Sequence, residues 1–404
     1  MGKPEIRFNG YTDDWEQRKL GDIADVTKLA GFEFTEHVVY SDEGNIIALR
    51  GLNIKNGQLI LDDVKYIDGS NLSKLSRSKL FINDIMFTYV GTVGEVAIIK
   101  ENDRFYLAPN VSRIRVKSDD SPKFISHYMR TDNFKNKVIF PLIATSSQPA
   151  LSMENIRKFT INIPINREEQ DCLANYFDSL DYLITLHQRK CDETKKLKKY
   201  MLQKMFPQNG QKVPEIRFEG FADAWEQRKF GDLGSVSMCK RIFKEQTATE
   251  GDIPFYKIGT FGGEPDAFIS RALFEEYKEK YQYPEVGDML ISASGTIGRT
   301  VEYAGEDAYF QDSNIVWFKH DDRVDNSFLK CIYSSVKWSG IEGSTIKRLY
   351  NDNFLKTEFS MPNAEEQKKI GEYFRELDIL ITLHQRKLEE LKNVKKYMLQ
   401  KMFV

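Results

Sequence analysis

The chain has 404 residues, too many for one ordinary core, and its 41% hydrophobic, 12% aromatic and 29% charged residues are those of packed domains rather than of a disordered or fibrous protein. A net charge of -2 excludes a general attraction to nucleic acid, so any such contact must come from local basic faces or from a partner. No apolar run approaches the roughly 18 residues that cross a bilayer, the opening MGKPEIRFNG has no signal-peptide pattern, and the scattered Cys172, Cys191, Cys239 and Cys331 form no CxxC pair; a cytoplasmic protein with reduced thiols, no membrane and no bound metal is expected.

The first segment, PEIRFNGYTDDWEQRKLGD from Pro4 to Asp22, carries Trp15, expected to pack this front segment onto the domain behind it. IIALRGLNI and DIMFTYVGTVGEVAII then read as strands, and Gly91 and Gly94 of GTVG mark a tight turn. Such a turn is either a plain hairpin connection or a place where backbone approaches another surface closely. Side chains suited to a DNA face gather in this part of the chain: Arg50, Asn53, Lys55, Thr92, Asn110, Arg113, Arg115 and the run Thr145, Ser146, Ser147, Gln148. Arg and Lys hold phosphates or guanine edges, while Asn and Gln form the two-bond pair with adenine.

From Glu168 the spacing predicts a long helix. Leu173, Phe177, Leu180, Ile184 and His187 follow steps of four and three and continue through Cys191, Thr194 and Met201, a seam that needs a partner helix. Asn166, behind Pro164, is the candidate N-cap, and Glu169 stands in the capping-box position. About 39 residues at roughly 1.5 Å each make a rod approaching 60 Å.

After PQNGQKV, Pro207 to Val213, the sequence begins again. PEIRFEGFADAWEQRKFGD, Pro214 to Asp232, repeats the front segment, with Trp225 in place of Trp15. LDYLITLHQRK at Leu180 to Lys190 returns as LDILITLHQRK at Leu377 to Lys387, and KKYMLQKMF at Lys198 to Phe206 returns at Lys395 to Phe403. The front motifs lie 210 residues apart and the rear motifs 197, so the second copy is 13 residues shorter between them. The interiors, Lys28 to Phe81 and Lys240 to Val286, have diverged while the ends were kept. The second interior again shows strand-like runs, IPFYKIGTF and GDMLISASGTIGRTVEY, with Gly295 and Gly298 in GTIG. Its candidate DNA-facing residues are Lys257, Thr260, Ser292, Ser294, Thr296, Gln311, Asn314, Ser344, Thr345, Lys347 and Arg348. The second helix opens at Asn363 and Glu366 behind Pro362, and its seam is Ile370, Phe374, Leu377, Ile381 and His384.

The expected fold is α+β. Two tandem mixed α/β recognition domains, 1–163 and 214–361, are each followed by a long α-helix, 164–206 and 362–404, with a linker at 207–213. The helices are expected to pair as an antiparallel coiled coil with pseudo-twofold symmetry, leaving a reader at each end.

This order, a divergent domain, NREEQ (Asn166 to Gln170) leading a long helix with LITLHQRK, a second divergent domain, then NAEEQ (Asn363 to Gln367) leading a matching helix, resembles type I restriction-modification specificity subunits over essentially the whole chain. The resemblance implies two target-recognition domains, each reading one half of a split site in double-stranded DNA, and paired helices that hold them apart and dock two methylation subunits. It further implies that S-adenosylmethionine, ATP and Mg belong to the methylation and restriction subunits, and that this chain binds no cofactor. Two readers roughly 34 to 36 Å apart would meet successive major grooves on one face of DNA.

Rival functions fit less well. All 12 prolines are isolated, so the [DNS]PP[YF] motif of an adenine methyltransferase is absent, as are an FxGxG loop and a GxxxxGK[ST] phosphate loop. Pro265 and Asp266 with Glu276 and Lys278 spell a nuclease-like PD and ExK, but the second half lies in the charged, helix-like RALFEEYKEKYQY instead of a strand. His187 and His384 lack a carboxylate or thiol at ligand spacing and are expected to set helix register. A pure coiled-coil scaffold explains the repeated helices but not the divergent, polar interiors.

Overall fold

The computed structural model describes residues 2–143, 149–208, 210–341 and 347–404. They form two compact units, one built from Met1–His187 with Arg386–Val404, the other from Gln188–Gln385.

In the first unit a four-stranded antiparallel sheet runs in the order Ala24–Lys28, Val111–Val116, Ile85–Thr88, Val96–Ile98. Alternate residues of its strands serve different cores. Ile85, Phe87 and Ile114 join the cluster that includes Phe124, Phe159 and Phe177, whereas Met86, Ala97 and Val111 join one with Leu49, Phe105 and Leu107. Because both faces are covered, the run IMFT is buried throughout and shows no polar alternation in sequence. The second core lies under a three-stranded sheet, Lys65–Tyr66, Ile47–Leu49, Phe105–Leu107, in which the last two strands are parallel. A separate two-stranded ladder pairs Glu16–Lys19 of the front segment with Thr160–Ile163, just before the long helix.

The second unit repeats this plan. Its four-stranded sheet runs Gly234–Ser237, Ile315–His320, Met289–Ser292, Thr300–Glu302, its three-stranded sheet Phe268–Ile269, Ile253–Tyr256, Tyr309–Phe310, and its ladder pairs Glu226–Lys229 with Glu358–Met361. Strand order and sense match the first unit, including the parallel pair. Interiors with almost no legible sequence similarity therefore share one scaffold.

The long helices span Arg167–Lys204 and Ala364–Lys401, 38 residues each. The Asn363 side chain accepts from the amide of Glu366 at 2.9 Å, and Asn166 accepts from Glu168 at 2.8 Å, as N-caps do. The expected capping boxes are not what occupies the glutamates. Arg7 of the front segment donates to both oxygens of Glu169, at 2.7 and 2.8 Å, and Arg217 clasps Glu366 with two bonds of 2.7 Å. Both carboxylates are essentially inaccessible to solvent, so a fork-shaped guanidinium is the partner that satisfies them.

Each unit takes the first half of one long helix and the last half of the other. In the first, Leu173, Phe177 and Leu180 share a core with Leu391, Met402 and Phe403, and Asp181 pairs with Lys395. In the second, Ile370, Phe374 and Leu377 share a core with Met205 and Phe206, and Asp378 pairs with Lys198. The seam positions thus bury themselves in the aromatic core of their own unit as well as against a helix: the Phe177 ring lies 5.3 Å from Phe403, which lies 5.5 Å from Phe124. Ile184 packs at the margin of the first core, and Ile381, His187 and His384 are half-buried.

Candidate nucleic-acid interface

One structural feature is repeated bond for bond in both units. The strand Ile85–Thr88 turns through GTVG into Val96–Ile98, with Gly91 at φ 80° and Gly94 at φ 93°; Met289–Ser292 turns through GTIG into Thr300–Glu302, with Gly295 at φ 67° and Gly298 at φ 92°. These left-handed angles are why glycine recurs there. The turn is a hairpin connection, and it is braced from inside by a buried hydroxyl: Thr88 Oγ1 donates to Thr92 O and accepts from the Glu95 amide, while Ser292 Oγ donates to Thr296 O and accepts from the Arg299 amide.

The chain on either side of each turn is stitched to two neighbours. In the first unit the Gly91 amide donates to Pro149 O at 3.0 Å, Leu151 to Tyr89 O at 2.9 Å and Tyr89 to Asn110 O at 3.2 Å. In the second, Gly295 donates to Lys347 O at 2.9 Å, Leu349 to Ala293 O at 2.8 Å and Ala293 to Asn314 O at 2.7 Å. The structure thereby brings together Thr92 and Asn110 in one unit, and Thr296, Asn314, Lys347 and Arg348 in the other, at one end of the four-stranded sheet. Thr92, Asn110, Thr296, Lys347 and Arg348 are exposed there. Thr145, Ser146, Ser147, Gln148, Ser344 and Thr345 lie outside the described residues.

Other expected DNA-facing side chains are occupied by the fold, and the expectation is corrected for them. Asn53 is fully buried; it accepts from the Arg50 amide and donates to Ile60 O and Asp63 O, which closes a local turn. Arg113 is buried against Asp25 at 2.7 Å and Arg77 O at 2.9 Å. Its burial pulls the guanidinium pKa downward, with neighbouring Arg115 adding to the shift and Asp25 opposing it. Ser292 is buried as the turn brace, and Ser294 is buried where it bridges Arg348. Arg115 is committed to both oxygens of Asp84, at 2.7 and 2.6 Å, and stacks over Phe81. Arg50 pairs with Asp63 at 2.8 Å and Lys257 with Asp266 at 2.8 Å. Thr260 accepts from the Lys257 amide, and Gln311 accepts from the Ile258 amide at 2.9 Å, both shaping loops. Lys55 is exposed beside a two-residue turn, Asn56–Gly57.

Residues outside the expected set also join the feature. Lys28 lies over the Tyr89 ring at 5.5 Å, and Arg299 donates to Phe261 O at 2.8 Å. The nuclease-like residues have other roles: Glu276 pairs with Lys280, and Lys278 lies over Phe274 and Tyr283, all within or beside the helix Arg271–Lys280. Among the described residues no group of three or more His, Cys, Asp or Glu side chains could hold a metal ion, and no helix is long and apolar enough to cross a membrane.

Two copies of one α+β scaffold, each presenting the same braced turn with different side chains around it, define a duplicated two-domain protein. The model of the type I restriction modification DNA specificity domain matches the chain twice, at residues 12–196 and 222–393, and the chain belongs to that family. It is 41% identical over 268 residues to a Haemophilus influenzae protein named as a type I restriction enzyme specificity subunit, covering 66% of this chain and 67% of that one. A Methanocaldococcus jannaschii protein named as the MjaX specificity subunit is 23% identical over 95% of this chain and 91% of its own. The fold is that of the type I restriction-modification system S subunit from M. genitalium, with a TM-score of 0.65 at 14% identity over all of this chain and 99% of the other. A chain from work on complex assembly and conformational transition of the type I R-M system gives 0.51 at 16% identity over 97% and 98%.

Proposed function

We propose that this chain is a non-catalytic specificity subunit that reads a bipartite site in double-stranded DNA, one half with each recognition domain, and directs adenine methylation or restriction by partner subunits. The observation that carries this reading is the repeated turn. Its backbone bonding is the same in both units, yet Pro149 and Ala150 in one stand where Lys347 and Arg348 stand in the other. A constant frame with exchanged side chains is what two readers of different half-sites require, because specificity lies in side chains reaching base edges and the frame only places them.

On this reading the recognition domains are 1–163 and 214–361, joined by the helices 164–206 and 362–404 and the linker 207–213. The helices pair as an antiparallel coiled coil. The Asp181–Lys395 and Asp378–Lys198 ion pairs support that pairing, since each is the repeat image of the other. Two methylation subunits dock on the outer helix faces. Supporting this, Tyr182, Leu183, Val394 and Tyr397 are exposed in one unit, and their repeat images Ile379, Leu380, Leu197 and Tyr200 are exposed in the other. S-adenosylmethionine, ATP and Mg are then held by the methylation and restriction subunits, and the assembly works in the cytoplasm.

Co-expression with the cognate methylation subunit in a methylation-free host, followed by genome-wide mapping of modified adenines, tests the reading. One split motif with two defined halves and a fixed gap is expected. Co-purification of the subunits without adenine modification would leave only a scaffold.

A further inference from the structure

The first unit contains a hydrogen-bonded chain that runs from its long helix to the braced turn. Asp181 on the helix accepts from Arg130 Nη1 at 3.0 Å; Arg130 Nη2 donates to Asn56 O at 3.0 Å; the Asn56 amide donates to Glu95 Oε2 at 2.7 Å; and the Glu95 amide donates to Thr88 Oγ1, the brace of the GTVG turn, at 2.9 Å. Every link is short, and Arg130 is largely buried.

The middle of the chain is built for this contact. Asn56 and Gly57 form the two-residue turn between Ile54–Lys55 and Gln58–Leu59, both at positive φ, 52° and 83°. A Cβ on Gly57 would stand 2.0 Å from Arg130 Cζ, so glycine is required for the guanidinium to reach the Asn56 carbonyl. Gln58 adds a direct bond to Thr185 on the helix at 2.7 Å. In the second unit, Arg299 occupies the position of Glu95 and donates to Phe261 O, and Ser334 occupies the position of Arg130 and donates within its own helix to Lys330 O.

We infer that Arg130 and Glu95 are positioning residues that fix the Asn56–Gly57 hairpin and the GTVG turn of the first reader to its helix, and so set the fidelity of one half-site only. This rests on the reading of the turn as part of the DNA face. Rigid placement matters because a base-reading side chain displaced by a fraction of an ångström loses its paired bonds.

The test uses the full chain with its methylation subunit. Arg130→Ser, Glu95→Ala and the acceptor-preserving Glu95→Gln are compared with wild type, with Ser334→Ala as the control in the second unit. Hydrogen exchange at the Asn56 and Glu95 amides is expected to speed up about tenfold or more in Arg130→Ser and Glu95→Ala. Methylation mapping is expected to show extra bases accepted in one half-site with the other half unchanged, Glu95→Gln behaving as wild type. Unchanged exchange and an unchanged motif in Glu95→Ala, whose partly exposed side chain is not part of the core, overturn the inference, as does equal loss in both halves. If wild type itself yields no split motif, the DNA reading fails, and the exchange rates still decide whether the linkage exists.

Discussion

The Arg7 guanidinium closes on the Glu169 carboxylate through two hydrogen bonds, and Arg217 repeats the contact on Glu366. In each unit this clasp ties the front segment to the first turn of a long helix. It explains why PEIRF and EEQ travel together through both copies. Removing one partner of a buried pair strands the other charge, which costs about 3–5 kcal/mol. Arg7→Ala is therefore expected to destabilise the first unit by that amount in thermal or denaturant melts, and Arg7→Met with Glu169→Leu to recover much of it. A loss under about 1 kcal/mol for Arg7→Ala, the range of exposed ion pairs, would show that the clasp is incidental.

Phe403 and Phe206 should behave alike. Phe403 touches the rings of Trp15, Phe124 and Phe177, and Phe206 those of Trp225, Phe328 and Phe374. Each is buried and closes its unit's core from the end of a helix. Truncation to alanine is expected to cost about 3–5 kcal/mol in either unit. Calorimetry of the two variants checks this, and the lower-melting unit should change with the residue replaced.

Acid should weaken the first unit before the second. Burial drives the His127 imidazole pKa below its ordinary value, and the bond to Asp178, 2.9 Å away, does not reverse this. Asp178 is itself pushed up by burial, yet His127 and Lys123 together hold it below the usual carboxylate range. The unfolded chain protonates the histidine near its ordinary value of 6.5, while the folded chain resists, so stability falls as pH drops through and below that value. The loss is at most about 1.4 kcal/mol per pH unit for one proton. His127→Cys, which introduces the residue type of the equivalent position, Cys331, should flatten the melting temperature between about pH 7 and 5.5; an unchanged slope would contradict this.

At the candidate interface, exposed and buried polar residues should separate cleanly. Lys347→Ala and Arg348→Ala are expected to weaken DNA binding by the complex and to reduce the salt slope by about one unit for each phosphate no longer neutralised. Asn53→Ala, by contrast, should lower stability by about 1–3 kcal/mol by removing a buried side chain that bonds the Arg50 amide, Ile60 O and Asp63 O, with the methylation motif unchanged. Fluorescence anisotropy across a salt series, beside a melt, distinguishes the two.

The long helices, the duplication and the front segment are legible in the sequence because each rests on local signals repeated twice: an Asn–x–x–Glu start, a three-and-four seam and a Trp followed by EQRK. The shared interior is not. Its inner strands are covered on both faces, as at Ile85–Thr88, so no alternation marks them, and packing tolerates wholesale exchange of apolar residues. Polar residue type alone also misleads at the interface. Asn53 and Arg113 look like DNA contacts in sequence, but their partners, Asp63 O and Asp25, lie 10 and 88 residues away and are joined to them only by the fold. The glutamates at the helix starts stand where the local pattern puts them but take a distant partner, since Arg7 is 162 residues from Glu169.

Exchange of one recognition domain tests the central claim most directly. Residues Lys28 to Asn162 would be replaced by the corresponding segment of another family member, and modified adenines mapped with the same methylation subunit. Two independent readers predict that one half of the split motif changes while the other half stays as it was. A change in both halves, or in neither, would contradict the account.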